Sequence, residues 1–466
     1  MNSQNHNYKK FFIHTLGCKV NQYESQAMRE LLLNAGFVEC LSKDIADIYI
    51  VNTCTVTNRA DKESRNMISL FHRRNPLAKI AVTGCYVENN SEELSGLPGV
   101  TNIVLNKQKG RIADILNSQD PGPEPLTSFG LGPASNGAGF GAGRRLPVQG
   151  EEMLSITDFK GRTKAFVKIQ DGCDNFCSYC KVPFVRGHSR SKSLNAILTE
   201  VETLVAKGFQ EIVLTGICLG AWGMDLFPEA VAKGSGLNGA SLVDVLKAID
   251  GIDGKFRVRL SSIEPKYVTD ELIDFMARNK RMCRHLHIPL QSGDDEILKK
   301  MNRPYRTSEY KAMVDKVRER IRDAAITTDV LIGFPGESDS NFRNTVNFIK
   351  AILPSRTHIF TFSRRMGTAA YGMGPGAPNE LLKRRYNELN SVILSASYLY
   401  RTKFLNKIVD VLAETRRDKE SRLLAGYSDN YIKVLFHGDD GLARRIVPVK
   451  ITDIGLTYTW GLYVGE

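Results

Sequence analysis

The chain has 466 residues, 42% hydrophobic and 24% charged, the balance of an ordinary globular protein of roughly two to four domains. No apolar run reaches the ~18 residues that a membrane span needs, and the N-terminus lacks an uninterrupted apolar stretch ending in small residues. Neither a membrane-spanning segment nor a secretory signal is therefore expected, and a cytoplasmic location is. The net charge of +12 admits a polyanionic partner without requiring one, and in a reducing compartment the nine cysteines read as metal ligands or catalysts before disulfides.

In chain order, the spacing predicts a strand at 11–16, a helix at 23–36 ending at Gly36, a strand at 48–53, a basic helix at 61–74 and a strand at 79–84. Strand–helix alternation with short connections implies a parallel sheet. Each of these three strands runs into a cysteine: Cys18, Cys54 and Cys85. The carboxyl ends of parallel strands form the functional edge of such a sheet, so three cysteines could converge there. Residues 120–150 then hold 8 Gly and 5 Pro, a composition too poor in apolar surface to offset its ordering entropy, and read as a mobile linker.

Beyond it the alternation resumes, with strands expected at 165–170, 211–216, 257–262, 285–290, 326–333 and 358–363. Between the first two, Ile197, Leu198, Val201, Leu204 and Val205 share a helix face that Gly208 closes. Six βα units imply an open, barrel-like sheet with its chemistry at the strand carboxyl ends. A long helix is expected over 379–405. Period-two alternation at 425–436 and 443–452 then points to a small antiparallel β domain, plausible as a barrel.

Cys173, Cys177 and Cys180 stand at C-x3-C-x2-C just past the first strand of this second half. A structural zinc site wants four ligands; His188 could supply the fourth, and that reading stays open. Three thiolates on a 4Fe–4S cluster leave one iron open to the amino and carboxylate groups of S-adenosylmethionine, whose sulfur–carbon bond one electron can then break. Tyr179, between two of these cysteines, suits packing beside the nucleoside or simply shields the cluster. Lys181, Arg186, Arg190 and Lys192 follow with no acid among them, as candidates to grip phosphate. Residues 278–322, with 13 basic and 6 acidic side chains, fit either RNA contact or solvated helix faces. Cys40, Cys218 and Cys283 read as buried small hydrophobes.

The motif resembles the radical S-adenosylmethionine superfamily. The segments TLGCKVNQYES (15–25), VNTCTVTNRAD (51–61), TGCY (83–86), KIQDGCDNFCSYC (168–180), RLSSIEP (259–265), HIPLQSG (287–293) and TDVLIGFPGE (328–337) are similar to its methylthiotransferase family along nearly the whole chain. Lys19 in GCKVNQ, with NTCTVTNRAD, looks most like the branch acting on threonylcarbamoyladenosine in tRNA; the other branches act on isopentenyladenosine or a ribosomal protein. A different class of reading is a metal-containing RNA-binding protein without catalysis.

The resemblance, together with the Gly/Pro linker that it does not match, implies an α/β fold in four parts. These are a Rossmann-like domain over 8–119, the linker over 120–150, an open (βα)6 radical domain over 155–400, and a β-barrel over 401–466 like the RNA-contacting TRAM module. It implies a second 4Fe–4S cluster on Cys18, Cys54 and Cys85. For S-adenosylmethionine it points to Gly216 against the methionine portion, Glu264 at the ribose, Gln291 and Ser292, and Gly333, Phe334 and Pro335 at the adenine; ordinary turn chemistry also accounts for the glycines and proline. No catalytic side chain is assigned beyond the cluster ligands. Cys218 departs from the family, where His or Asn is commoner, which puts a hydrogen-bonding role there in doubt. Lys181 departs too, at a position more often apolar. The partners implied are a tRNA anticodon loop, an electron donor such as flavodoxin or ferredoxin, and a source of sulfur.

Overall fold

The structure, a computed structural model, describes residues 9–40, 46–118, 153–226 and 240–465, so the 120–150 segment lies outside the described residues. The chain divides into two compact units, the first made of Met1–Thr55 and Arg59–Ser155 and the second of Val56–Asn58 and Ile156–Glu466.

In the first unit, strands β1 (Lys10–Thr15), β2 (Val38–Glu39), β3 (Ile48–Thr53), β4 (Lys79–Gly84) and β5 (Val100–Val104) form one sheet in the order β2-β1-β3-β4-β5. Every pairing is parallel. β3 is apolar on both faces because both are covered, as parallel sheets require. Ile48 and Ile50 join one core with Phe11, Met28 and Leu32, while Tyr49 and Val51 join another with Ile68 and Phe71. The first helix, Lys19–Asn34, begins four residues before the predicted start. Its opening turn is polar, and Asn21 is buried by donating to the carbonyls of Leu16 (2.8 Å) and Thr53 (2.9 Å), a bond that periodicity cannot show. β2 and β5 carry no strong alternation and were not predicted.

In the second unit, β6 (Ala165–Lys168), β9 (Glu211–Thr215) and β10 (Arg257–Leu260) form one parallel sheet, and β11 (His285–His287), β12 (Ala325–Ile332) and β13 (Arg356–Thr361) another. Parallel bridges Val258↔Met282 and Ser262↔His287 join β10 to β11, so six strands follow in sequence order as an open array. Two short strands, β7 (Gln170–Asp171) and β8 (Arg190–Ser191), pair antiparallel at the base of the cysteine loop. The helix after β8 spans Leu194–Ala206, with the Ser193 hydroxyl accepting from the Ala196 amide at 3.4 Å and Ile197, Val201 and Leu204 buried.

The C-terminal strands β14 (Ile408–Ala413), β15 (Leu424–Ser428), β16 (Lys433–His437), β17 (Ile446–Ile454) and β18 (Thr459–Tyr463) close a barrel. The stretch 425–436, expected as one strand, is two, broken where Tyr431 takes a φ of 64°. β16 and β18 pair parallel; the other barrel pairings are antiparallel. Glu211 joins this barrel to the six-strand array. It accepts from Arg257 at 2.7 Å and Arg259 at 2.9 Å, and both guanidinium groups also donate to backbone carbonyls of the barrel, among them Tyr427 and Asp429. No helix among the described residues is long and apolar enough to cross a membrane.

Candidate metal centre

Three thiols stand on the carboxyl edge of the first sheet. The register sets Thr15 beside Asn52 and Thr53 beside Gly84, so Cys18, Cys54 and Cys85 leave three adjacent strands. Cys18 is exposed; Cys54 and Cys85 are buried. Their loops are fastened by backbone: the Leu16 amide donates to Asn52 O at 2.9 Å and the Cys85 amide to Thr53 O at 3.2 Å. Gly17, at φ 92°, lies so close that a Cβ there would stand 2.9 Å from Cys54 Sγ; the cradle is cut to the size of glycine. Beneath it, Asn52 bonds Ser25 and the Asn21 carbonyl, and the buried Lys109 bonds Glu24 and Asn52.

In the second unit, the loop carrying Cys173, Cys177 and Cys180 is closed at its neck. The Cys173 amide donates to Gly187 O at 3.1 Å, and Gly172, at φ 74°, packs so tightly that a Cβ would fall 1.9 Å from His188 O. Gln170 clamps the same neck, donating to the Asp171 and Gly172 carbonyls at 2.8 Å while its oxygen accepts from the Cys218 amide at 2.7 Å. Arg303 donates to Cys177 Sγ at 3.3 Å and pairs with Glu264. Neither Gln170 nor Arg303 was predicted; Arg303 lies within a basic stretch where nothing in the sequence sets it apart.

The thiols differ in acidity. A hydrogen bond from Cys218 outweighs burial and brings Cys173 down to about 7, whereas burial pushes Cys180 up to about 12. Burial also raises Cys177 against the opposing Arg303 charge. Cys218 and Cys283 are buried, as expected of small hydrophobes, and Cys40 is half-buried. Cys218 is more than filler, however, because its thiol bonds Cys173 and accepts from Asn175 Nδ2 at 3.6 Å. His188 is surface-exposed and bonds Asp174 at 2.6 Å, so it does not complete a set of four ligands with these thiols. Three neighbouring thiols around a loop held by backbone bonds fit the ligand set of a 4Fe–4S cluster with one open iron.

The remaining predicted residues are placed as follows. Tyr179 packs against a cluster that includes Phe334, Leu331 and Met301. Gly216 approaches Gln170, whose Oε1 would lie 2.9 Å from an added Cβ. Gln291 takes a φ of 69°, and its amide donates to Asp329 O at 2.8 Å. Ser292 is buried against Thr345. The Gly333 amide donates to Glu337 at 2.7 Å, while Phe334 and Pro335 are buried. Of the basic run, Arg186 is buried on Asp171 and Lys192 is buried on Glu200, pairings that suit the fold rather than phosphate contact. Lys181 and Arg190 keep accessible surface, Arg190 at 3.7 Å from Asp171. In the 278–322 stretch, Lys300, Lys311, Lys316 and Arg320 pair with acids on exposed helix faces.

Comparison with known proteins gives the family. Residues 10–106 match the uncharacterized protein family UPF0004, and residues 167–349 match the radical SAM superfamily. Over 454 residues the chain is 34% identical to the threonylcarbamoyladenosine tRNA methylthiotransferase MtaB of Bacillus subtilis (strain 168), covering 97% of this chain and 95% of the relative. The chain belongs to the radical S-adenosylmethionine methylthiotransferase family. The MtaB protein of Thermotoga maritima is 39% identical, with 92% and 91% covered. A tRNA-2-methylthio-N(6)-dimethylallyladenosine synthase of Clostridium tetani is 32% identical, with 95% and 93% covered. Among solved structures, the radical S-adenosylmethionine methyltransferase TsrM of Kitasatospora setae superposes with a TM-score of 0.50 at 16% identity, over 78% of this chain and 77% of that one, a likeness of fold alone. Membership of the family makes the chain an enzyme that uses a 4Fe–4S cluster and S-adenosylmethionine.

Proposed function

We propose that this methylthiotransferase modifies carbon 2 of N6-threonylcarbamoyladenosine beside the anticodon of tRNA, as a cytoplasmic enzyme. The observation that carries the reading is a pair of separate three-cysteine sets, one on a parallel-sheet edge and one on a glycine-closed loop, in a chain 34–39% identical to relatives named for that substrate. Cys173, Cys177 and Cys180 hold the cluster that meets S-adenosylmethionine, and Cys18, Cys54 and Cys85 hold a second. When bound, the first cluster supplies the electron that cleaves S-adenosylmethionine to a radical able to attack an aromatic carbon–hydrogen bond, and the second supplies the sulfur. A radical is required because that carbon offers no acidic proton to a base.

The chain's own residues orient and shield. Gly172 and Gln170 fix the loop neck, Arg303 sets Cys177, and Glu264, Gly216, Gln291 and Ser292 with Gly333, Phe334 and Pro335 shape the S-adenosylmethionine pocket. Tyr179 seals the loop against the Phe334 cluster. The C-terminal barrel, as a TRAM-like module, with Lys181 and Arg190, meets the RNA. Anticodon loops already splay their bases, which lowers the cost of presenting one to the enzyme. A flavodoxin or ferredoxin class of donor and a sulfur source complete the reaction.

Dimethylallyladenosine is the competing substrate, favoured by relatives such as the Clostridium tetani protein at 32% identity. Nucleoside mass spectrometry of tRNA from a deletion strain separates the two. Loss of the methylthio form of threonylcarbamoyladenosine with the unmethylthiolated nucleoside retained supports the proposal. Loss confined to methylthio-dimethylallyladenosine transfers it to the other substrate.

A further inference from the structure

A second kind of donor set lies inside the six-strand array, with no cysteine in it. His287 ends β11, Asp329 lies in β12 and His358 in β13, three adjacent parallel strands whose register sets Asp329 directly beside His358. Asp329 bridges the two imidazoles: Oδ2 is 3.2 Å from His287 Nε2 and Oδ1 is 3.0 Å from His358 Nδ1. The rings stand 5.8 Å apart, and one ligand atom from each of the three residues lies within 4.8 Å of the others. Alternation along β12 puts Leu331 on the same face as Asp329, and Leu331 belongs to the cluster against which Tyr179 packs.

We infer that His287, Asp329 and His358 form a binding site for one divalent first-row transition-metal ion, separate from both cysteine sets. Two imidazole nitrogens and one carboxylate oxygen are the donors that zinc and ferrous iron take, and are poorly matched to magnesium or calcium, which prefer oxygen alone. The supporting shell is present as well. Thr327 Oγ1 lies 2.9 Å from both His287 Nδ1 and His285 Nε2, so Thr327 can hold a proton on His287 Nδ1 and leave Nε2 to bind an ion seated between it and the carboxylate. Three protein ligands leave coordination positions open, and the His358 side chain, 42% exposed, marks the side on which an oxygen donor can enter.

The test uses full-length protein loaded anaerobically with iron and sulfide, treated with a weak chelator and titrated with Zn2+ by calorimetry. After desalting, zinc and iron are counted and the zinc-edge X-ray absorption is recorded. One zinc per chain is expected with a nitrogen/oxygen shell at ~2.0–2.1 Å. Asp329→Asn and His358→Gln lose it with iron content unchanged, and Thr327→Val weakens it about tenfold or more. His358 sits on the edge strand of its sheet and is partly exposed, so its variant keeps the test informative if Asp329→Asn misfolds. No zinc uptake by the wild type, uptake unaltered in His358→Gln, or a sulfur shell at ~2.3 Å each overturns the assignment, the last by placing the ion on cysteine.

Discussion

Arg303 ties Cys177 to Glu264. One guanidinium nitrogen donates to the Cys177 sulfur at 3.3 Å, another pairs with the carboxylate, and a third reaches the Tyr305 hydroxyl at 3.2 Å. A cation held against a ligand sulfur tunes the cluster it serves, since hydrogen bonds to sulfur and local charge set reduction potential. Arg303→Met is expected to retain its iron, to shift the potential of one cluster to more negative values, and to slow S-adenosylmethionine cleavage about tenfold. Potentiometric titration followed by electron paramagnetic resonance measures the first effect, and 5′-deoxyadenosine formation the last. An unchanged potential contradicts the role.

Cys218 lies within hydrogen-bonding reach of Cys173 and stands outside the C-x3-C-x2-C motif. Cys218→Ala is accordingly expected to hold as much iron as the wild type, whereas Cys173→Ala loses about four irons, the content of one cluster. Iron analysis after anaerobic reconstitution decides this. Equal losses in both variants would make Cys218 a ligand.

Gly172→Ala tests the loop neck. The added Cβ would meet the His188 carbonyl at 1.9 Å in a backbone conformation that L side chains rarely adopt, so the loop must open. The expected result is a folded chain that loses about four irons and makes no 5′-deoxyadenosine, with circular dichroism near that of the wild type.

Glu211 gives a pH-dependent prediction. Burial disfavours its charge, but Arg259 and Arg257 outweigh burial and hold its carboxyl well below the usual range. A carboxyl depressed in the folded state contributes stability that is full above its unfolded value of ~4.3 and is lost as pH falls below that. Glu211→Gln leaves two buried guanidinium groups short of a partner and should cost about 3 kcal/mol at pH 7. The gap between variant and wild type should shrink as the medium is acidified below ~pH 4. Urea unfolding at a series of pH values reads both.

Variants of segment 181–192 can separate a role in folding from the proposed role in RNA contact. Lys181→Ala and Arg190→Ala should each weaken tRNA binding and lower its salt slope by about one. Arg186→Ala and Lys192→Ala, which uncover buried Asp171 and Glu200, should instead lower the melting temperature. Salt-dependent binding isotherms and thermal melts distinguish the two pairs.

Much of the site was legible because its chemistry is local. C-x3-C-x2-C is read directly, and strands such as Ile48–Thr53 and Lys79–Gly84, continuous in apolar residues, announce both the sheet and the edge at which Cys54 and Cys85 stand. What the sequence hides is contact between distant segments. Arg303 looks like any cation of a basic stretch until the fold brings it to Cys177, and Arg186 looks like a phosphate ligand until Asp171 takes it. The His287–Asp329–His358 set spans three strands and follows no short motif. The hairpin within 425–436 turns at Ser428–Asp429–Asn430, a run of polar residues that marks a break in the alternation on either side.

The proposal of two clusters with separate duties is tested most directly by one variant, Cys18→Ala/Cys54→Ala/Cys85→Ala, compared with wild type for iron, 5′-deoxyadenosine and methylthiolated tRNA. The account predicts about four irons lost, 5′-deoxyadenosine still formed, and no methylthio nucleoside. An unchanged iron content, or methylthio product from the triple variant, would contradict it.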